Sequence, residues 1–313
     1  MNRLYVVVPC YNEEAVLDET SKRLHEKLHS LMDGGLIAEN SRVLFVDDGS
    51  KDRTWEKIAA LHEKDALFSG LKLSHNRGHQ NALLAGLMEA KANADVIVSM
   101  DADLQDDMNA MDEMLVKFHA GCDVVYGVRS KRAKDTAFKR VTAEGFYRFM
   151  KTMGVEIVFN HADYRLMSRR AVEALSEYSE VNLFLRGLVP LVGFKSDTVT
   201  YERGERFAGE SKYPLKKMLA FAMDGITSFS IKPIRMILWL GVVIFIISVV
   251  ILLYSLIRNL CGSTVSGWTS LSCSIWALGG IQMISLGVIG EYIGKIYNET
   301  KRRPRYTVEE LLD

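Results

Sequence analysis

Apolar and polar positions alternate in short blocks over the first two-thirds of the chain. Leu4 to Pro9 is a Val-rich run that stops at a polar loop, and Glu13 to Leu31 carries apolar residues at helical spacing. Strand-like runs follow at Arg42–Val46, Leu71–Leu73, Asp95–Met100 and Asp123–Val128. Gln80–Lys91 reads as a helix, and so does Glu144–Met153. Strands alternating with helices predict an α/β domain with a mostly parallel sheet, over residues 1–210. Such sheets bind ligands beyond the carboxyl ends of their strands. Three polar clusters fall there: Pro9-Cys10-Tyr11-Asn12-Glu13, Asp47-Asp48-Gly49-Ser50 and Asp101-Ala102-Asp103.

The last third has a different pattern. Pro214 suits a first helical turn. Leu215, Met218, Leu219, Ala222, Met223, Ile226 and Phe229 recur every three or four residues beside Lys216 and Lys217. That predicts an amphipathic interfacial helix over 211–233; an ordinary core-facing helix is the alternative. From Met236 to Ile257 there is no charge, and after Arg258 none recurs until Glu291. Two helices, 234–257 and 268–290, are long enough to cross a hydrocarbon core of roughly 30 Å. Lys232 and Arg235 before the charge-free run that begins at Met236, and Lys295, Lys301, Arg302, Arg303 and Arg305 after the second helix, predict both termini in the cytoplasm. Residues 291–313 are then a cytoplasmic tail. The N-terminal apolar run is too short for a signal peptide. Gln282 is polar within the second span, and Gly290 and Gly294 have the spacing of close helix packing.

Composition adds little. The 39 Lys plus Arg balance 39 Asp plus Glu, so no global field points to nucleic acid. Of the four cysteines, Cys10 and Cys122 show no metal-ligand spacing, and whether Cys261 and Cys273 pair stays open. Neither His79 nor His161 has the Cys or second His of a zinc site, so both read as structural or substrate-adjacent. Asp101 and Asp103, one residue apart on a loop leaving a strand, offer hard oxygen ligands suited to Mg2+ or Mn2+. A bound cation would offset charge on a departing diphosphate. Asp and Gly at 47–49 also serve turns, and Asn76 also serves as a helix cap.

VVVPCYNEE, VDDGSKD, NRGHQNALLAG and DADLQD occur in that order, and together they resemble the family 2 glycosyltransferases, whose nucleotide-sugar domain has the GT-A fold. YGVRSKR, ADYRLMSRR and RFAGESKYPLKK, followed by two apolar helices, are similar to the polyisoprenyl-phosphate branch of that family. This branch includes dolichyl-phosphate mannose synthase and the bactoprenol glucosyltransferases. One departure is Asp107-Met108, where the family carries prolines.

The resemblance implies inverting transfer of a sugar from a nucleotide-sugar, UDP-glucose favoured, to undecaprenyl or another polyisoprenyl phosphate. The enzyme would work at the cytoplasmic face of the inner membrane, as a homo-oligomer with a tetramer among the options. Pro9, Tyr11, Glu13, Asp47 and Asp48 would meet the nucleoside. Asn76, Arg77, Gly78, Asp101, Ala102, Gln105 and Arg206 would complete the nucleotide-sugar site, with Asp101 and Asp103 on the metal. Arg129, Arg132, Lys139, Arg140 and Lys212 would bind the acceptor phosphate, while a solvated face accounts for Lys131 and Lys134. Asp103 and Asp163 would be catalytic, and Asp163 matches the position of the family's base. A phosphate monoester with a second pKa of about 6 needs little deprotonation. Asp163 would therefore mainly position the acceptor and take up any remaining proton, and Asp163→Asn would lose less activity at pH 8 than at pH 6. Another sugar (N-acetylglucosamine, mannose or aminoarabinose), a soluble acceptor, or a non-catalytic membrane adaptor are the other readings. A processive synthase is disfavoured, because no Arg-Trp pair occurs.

Overall fold

In the computed structural model the described residues are 1–129, 152, 161–181, 183–202, 204, 226–227, 230–260 and 268–313. The chain divides into two compact units. One comprises Met1–Tyr147, Glu156–Pro214 and Arg303–Asp313, and the other Arg148–Val155 and Leu215–Arg302.

The first unit is built on an eight-stranded sheet: β1 (Leu4–Cys10), β2 (Arg42–Asp47), β3 (Phe68–Leu73), β4 (Val96–Ser99), β5 (Val124–Arg129), β6 (His161–Ser168), β7 (Ser196–Tyr201) and β8 (Val308–Leu312). Their spatial order is β7-β5-β6-β4-β1-β2-β3-β8. β3, β2, β1 and β4 are parallel neighbours, as are β5 and β7, while β6 runs antiparallel between β4 and β5. The mostly parallel α/β sheet read from the sequence is present. Every residue of β1 is buried, which is why it reads as a continuous apolar run.

Helices α1 (Leu17–Asp33), α2 (Thr54–Lys64) and α3 (His79–Asn93) make the crossovers between β1, β2, β3 and β4. α4 (Ala110–His119) follows β4, and α5 (Arg169–Ser176) and α6 (Leu185–Leu191) follow β6. α1 buries Leu17, Leu24, Leu28 and Leu31 on one stripe. α3 instead buries all of Ala82 to Leu87, since it packs on β1 and β2 on one side and on α5 on the other. Its approach is close: a Cβ at Gly86 would stand 2.4 Å from Val7 Cγ1.

The direction of β6 positions the site. β5 ends at the carboxyl edge of the sheet, and the chain re-enters at that same edge, so β6 must run back against its neighbours. Pairing of Ser99 with Arg165 then sets the first residues of β6 beside the loop that leaves β4.

The second unit contains α7 (Lys232–Leu260) and α8 (Trp268–Lys301). The Tyr292 hydroxyl donates to the Ser230 carbonyl oxygen at 2.5 Å, tying α8 to the residues that precede α7. Among the described residues no helix is long and apolar enough to cross a membrane; the side chains at 245, 248–249, 251–252, 255–256 and 258–260 of α7, and at 268–270, 272–273 and 276–277 of α8, are not among those described. Most of the expected interfacial helix, 211–233, and the expected helix at Glu144–Met153 also lie outside the described residues.

The expected tail is corrected. Helix α8 continues to Lys301, and Val308–Leu312 returns to the first unit as an edge strand antiparallel to β3. The Ser74 amide donates to the Thr307 carbonyl at 3.0 Å, Arg305 donates to the Tyr178 carbonyl at 2.9 Å, and ion pairs join Arg42 to Asp313 and Lys72 to Glu309. An open strand edge leaves backbone donors and acceptors unpaired, and β8 covers that of β3. Deleting residues 306–313 should therefore lower the melting temperature of the detergent-purified protein by roughly 4 °C or more. An unchanged thermal transition would show that the strand contributes nothing to stability.

Candidate active site

The carboxyl edge of the sheet collects the polar loops. After β1, the Asn12 amide donates to Ser50 Oγ at 2.9 Å and Asn12 Oδ1 accepts from the Lys51 amide at 2.8 Å. The Glu13 amide donates to Thr54 Oγ1 at 2.9 Å, so the loops after β1 and β2 interlock. Asn12 takes a positive φ of 55°, in the left-handed region that Asn tolerates. Tyr11 is 42% exposed beyond this frame, where a planar base has room to stack.

Asp48 holds the next loop. Its Oδ1 accepts the Arg77 amide at 2.7 Å and its Oδ2 the Gly78 amide at 2.9 Å. Gly49, with φ +66°, lets residues 75–76 lie against it: a Cβ there would stand 2.7 Å from the Asn76 amide nitrogen. The loop leads directly into α3, whose first residue is His79.

His79 Nε2 lies 3.5 Å from Asp101 Oδ1 and 3.6 Å from Asp163 Oδ2, which puts it between the loop after β4 and the start of β6. Asp163 also meets Arg165 at 3.1 Å and Arg186 at 2.9 Å. Ser99 Oγ donates to the Asp163 carbonyl oxygen at 2.5 Å and fixes the backbone there. Burial alone would raise Asp163, yet the bond to His79 and the charges of Arg186 and Arg165 hold it well below the usual carboxylate range. Burial would likewise lower His79, but the bond to Asp163 and the charge of Asp101 raise it above its ordinary value. Asp101 is pushed up to about 6 by loss of hydration; His79 opposes this, and the charges of Asp163, Asp106 and Asp103 reinforce it.

Among the described residues no group of three His, Cys, Asp or Glu side chains could by itself hold a metal ion. Asp101 and Asp103 nevertheless fit a hard divalent cation that takes its remaining ligands from phosphate and water. The upward shift of Asp101 comes first from loss of hydration and only in smaller part from the neighbouring carboxylates, whose charge such an ion would offset. Asp103 Oδ1 accepts the Gln105 amide at 3.2 Å, an arrangement that orients its carboxylate.

Not every residue expected to touch ligand is accessible. Pro9 lies in the buried strand β1, and Asp47 is fully buried, accepting from the Ser50 amide at 3.3 Å. Asp48 is 2% exposed, with both oxygens used by backbone amides. Ala102 is in the core, and its carbonyl oxygen accepts from Thr20 Oγ1 at 2.9 Å. These four residues support the site from beneath. Asn76 is exposed, while Glu13, Arg77, Gly78, Asp101, Asp103 and Gln105 are partly so. Arg129, expected at the acceptor phosphate, donates to Tyr201 Oη and to the buried Asp106 carboxylate, both at 3.2 Å. Arg132, Lys139, Arg140, Arg206 and Lys212 lie outside the described residues. Arg165 and Arg186 were missed from the sequence, while His79, read there as structural or substrate-adjacent, lies between Asp101 and Asp163. The two-residue spacing of Asp163 and Arg165 was a signal for a shared strand face, whereas nothing local marks Arg186.

Acidic loops at the carboxyl edge of a largely parallel sheet, with a buried ionised carboxylate facing them, fit a glycosyltransferase with a GT-A-type α/β fold. The chain belongs to glycosyl transferase family 2, whose family model matches residues 5–176. Residues 232–296 match the GtrB C-terminal hairpin. An uncharacterised glycosyltransferase of Bacillus subtilis (strain 168), YkoT, is 55% identical over 98% of this chain and 91% of its own length. The prophage bactoprenol glucosyl transferase homolog of Escherichia coli (strain K12) is 39% identical over 99% of both chains. The bactoprenol glucosyl transferase of Shigella phage SfV is 39% identical over 98% of both.

Asp48→Asn tests the loop clamp. An amide keeps one acceptor oxygen but turns an N–H toward the other backbone donor. The variant should lose about 1–3 kcal/mol in chemical denaturation. Wild-type stability would show that the two amides find another acceptor.

Proposed function

We propose that the chain transfers a sugar, glucose from UDP-glucose favoured, to undecaprenyl or a related polyisoprenyl phosphate at the cytoplasmic face of the membrane, with inversion at the anomeric carbon. The observation that carries this reading is the meeting of Asp101, His79 and Asp163 at the sheet edge, in a chain whose full-length relatives include proteins named bactoprenol glucosyl transferase or a homolog of it, beside uncharacterised glycosyltransferases. An acceptor phosphate oxygen forms a bond to the anomeric carbon while the bond to the nucleoside diphosphate breaks. The second pKa of a phosphate monoester is about 6, so the nucleophile is largely dianionic at neutral pH.

Asp163, with its proton affinity depressed by Arg186 and Arg165, is a poor base. Its contribution is a fixed negative charge that orients His79 and favours positive charge developing at the anomeric carbon. Asp101 and Asp103 would hold a Mg2+ or Mn2+ ion, which when bound supplies positive charge to the leaving diphosphate. Tyr11, Glu13, Asn76, Arg77, Gly78 and Gln105 are the proposed donor contacts, joined by Arg206. Arg132, Lys139, Arg140 and Lys212 are proposed for the acceptor phosphate. Arg129 contributes through its tie to Asp106 and Tyr201.

Helices α7 and α8 are proposed as a membrane hairpin. At 29 and 34 residues they extend about 43 and 51 Å, more than the roughly 30 Å of a hydrocarbon core. Leu238, Trp239, Ile246, Val250 and Leu253 of α7, and Met283, Ile284 and Leu286 of α8, are each more than half exposed, a surface suited to lipid. Among the described residues nothing lies within 4 Å of a Cβ placed on Gly290 or Gly294, a spacing suited to a second helix in a homo-oligomer.

The reading is tested with the detergent-purified chain, undecaprenyl phosphate and a panel of UDP-glucose, UDP-N-acetylglucosamine, UDP-galactose and GDP-mannose, with and without EDTA. Lipid-linked sugar from UDP-glucose, lost on chelation and lowered by orders of magnitude in Asp103→Ala, is expected. Lack of a lipid product from every donor would overturn the acceptor assignment.

The depressed proton affinity of Asp163 reverses the pH expectation drawn from the sequence. A carboxylate held well below its ordinary range is a weak acceptor for the phosphate's proton at pH 6 as at pH 8, so Asp163→Asn should lose the same factor at both ends. A smaller loss at pH 8 would restore a proton-accepting role.

A further inference from the structure

Asp163 has two arginines where one would balance its charge. Arg165 is fully buried and stands two residues along β6, on the same face, donating to Asp163 Oδ1 at 3.1 Å. Arg186 arrives from α6 and grips both oxygens: Nε donates to Oδ1 at 3.3 Å and Nη2 to Oδ2 at 2.9 Å. Two parallel bonds from a planar guanidinium fix the plane of a carboxylate, which a single bond does not. The second cation has a cost, because it stands close enough to Arg165 to disfavour that buried charge. Folding alone gives no reason for it, whereas a carboxylate that must keep one orientation does.

Helix α6 is itself fastened at its first residue. The Leu185 amide donates to Gln80 Oε1 at 2.8 Å, and Arg165 Nη1 lies 3.5 Å from the Leu185 carbonyl oxygen. Gln80 directly follows His79, whose Nε2 faces Asp163 Oδ2 at 3.6 Å. The side chains of Asp163, Arg186 and Gln80 thus form one connected ring through the start of α6. Arg186 remains 30% exposed, in contrast to Arg165.

We propose that Arg186 is a positioning residue of the transfer reaction: it sets the plane of the Asp163 carboxylate so that Oδ2 faces His79 and Asp101, and Gln80 holds α6 where Arg186 can do so. The proposal rests on the transfer reading given above, with Asp163 as the group through which Arg186 acts. Misplacing a catalytic group by even an ångström costs about 100-fold in rate, and that is the loss expected in kcat for Arg186→Gln. Affinity for the nucleotide-sugar should stay within about twofold, since Arg186 acts on Asp163 and not on the nucleotide.

The test is a double-mutant cycle on the full chain in detergent, with Arg186→Gln, Asp163→Asn and their combination, assayed with UDP-glucose and undecaprenyl phosphate. If Arg186 acts through Asp163, the double variant will be no slower than Asp163→Asn alone, within about twofold. Arg186→Lys, which restores charge without the fork, should recover only a minor part of the rate. Losses that multiply, a parallel rise in the nucleotide-sugar dissociation constant, or full recovery by lysine would each overturn the proposal. Gln80→Ala keeps Arg186 while loosening α6. It should give a smaller kcat loss that also vanishes in the Asp163→Asn background, and it decides the matter if Arg186→Gln fails to fold. Should the wild-type chain make no lipid product, the transfer reading fails on its own. The same cycle is then read on nucleotide-sugar hydrolysis, where additive losses would refute the positioning role separately.

Discussion

Two carboxylates, Asp101 and Asp163, are brought to one edge of the sheet, where both lose hydration and the local structure must supply cations to balance them. Their charges cannot be left to bulk water. His79 stands between them, and Arg165 and Arg186 hold Asp163 ionised. Asp101, with less support, is left with its proton affinity raised to about 6. The asymmetry is informative: Asp163 meets two arginines and His79, whereas Asp101 meets His79.

This arrangement depends on backbone features that carry no chemistry themselves. The antiparallel run of β6 brings Asp163 to the edge where the parallel strands end. Asp48 ties down the loop whose next residue, His79, begins α3. That loop is also supported from the far end of the sequence, through the bond from Ser74 to Thr307 and the pairing of β8 with β3. The chain leaves the first unit after Pro214 and rejoins it at Arg303, so its last residues belong to the same framework as its first.

For the chemistry proposed above, the consequence is that Asp163 would serve as a fixed charge. A phosphate nucleophile already ionised near neutral pH makes little demand for a base, and Asp163 has been made a weak one. Electrostatic preorganisation needs a group with one charge and one orientation, and a fork from Arg186 over a buried Arg165 provides both.

The sequence alone determined the parallel α/β class and the positions of its polar loops. Periodicity and strand ends are local properties, and doubly buried strands such as β1 announce themselves as continuous apolar runs. The acidic pair Asp101 and Asp103 and the long apolar segments after Lys232 were legible for the same reason, whereas Asp163 was picked out only by the resemblance of its motif to the family. Strands β6, β7 and β8 were not: HADYRLMS is polar and mixed, SDTVTY is mostly exposed, and VEELL is exposed along an edge. Whether such segments pair depends on a neighbour far away in the chain. Tertiary structure alone decided that Arg186 would meet Asp163 across 23 residues and His79 across 84, that Arg129 would turn to Asp106 and Tyr201, and that Asp48 would support a loop from beneath. Each of these outcomes is a balance of buried charges, and burial is fixed only when the elements pack together.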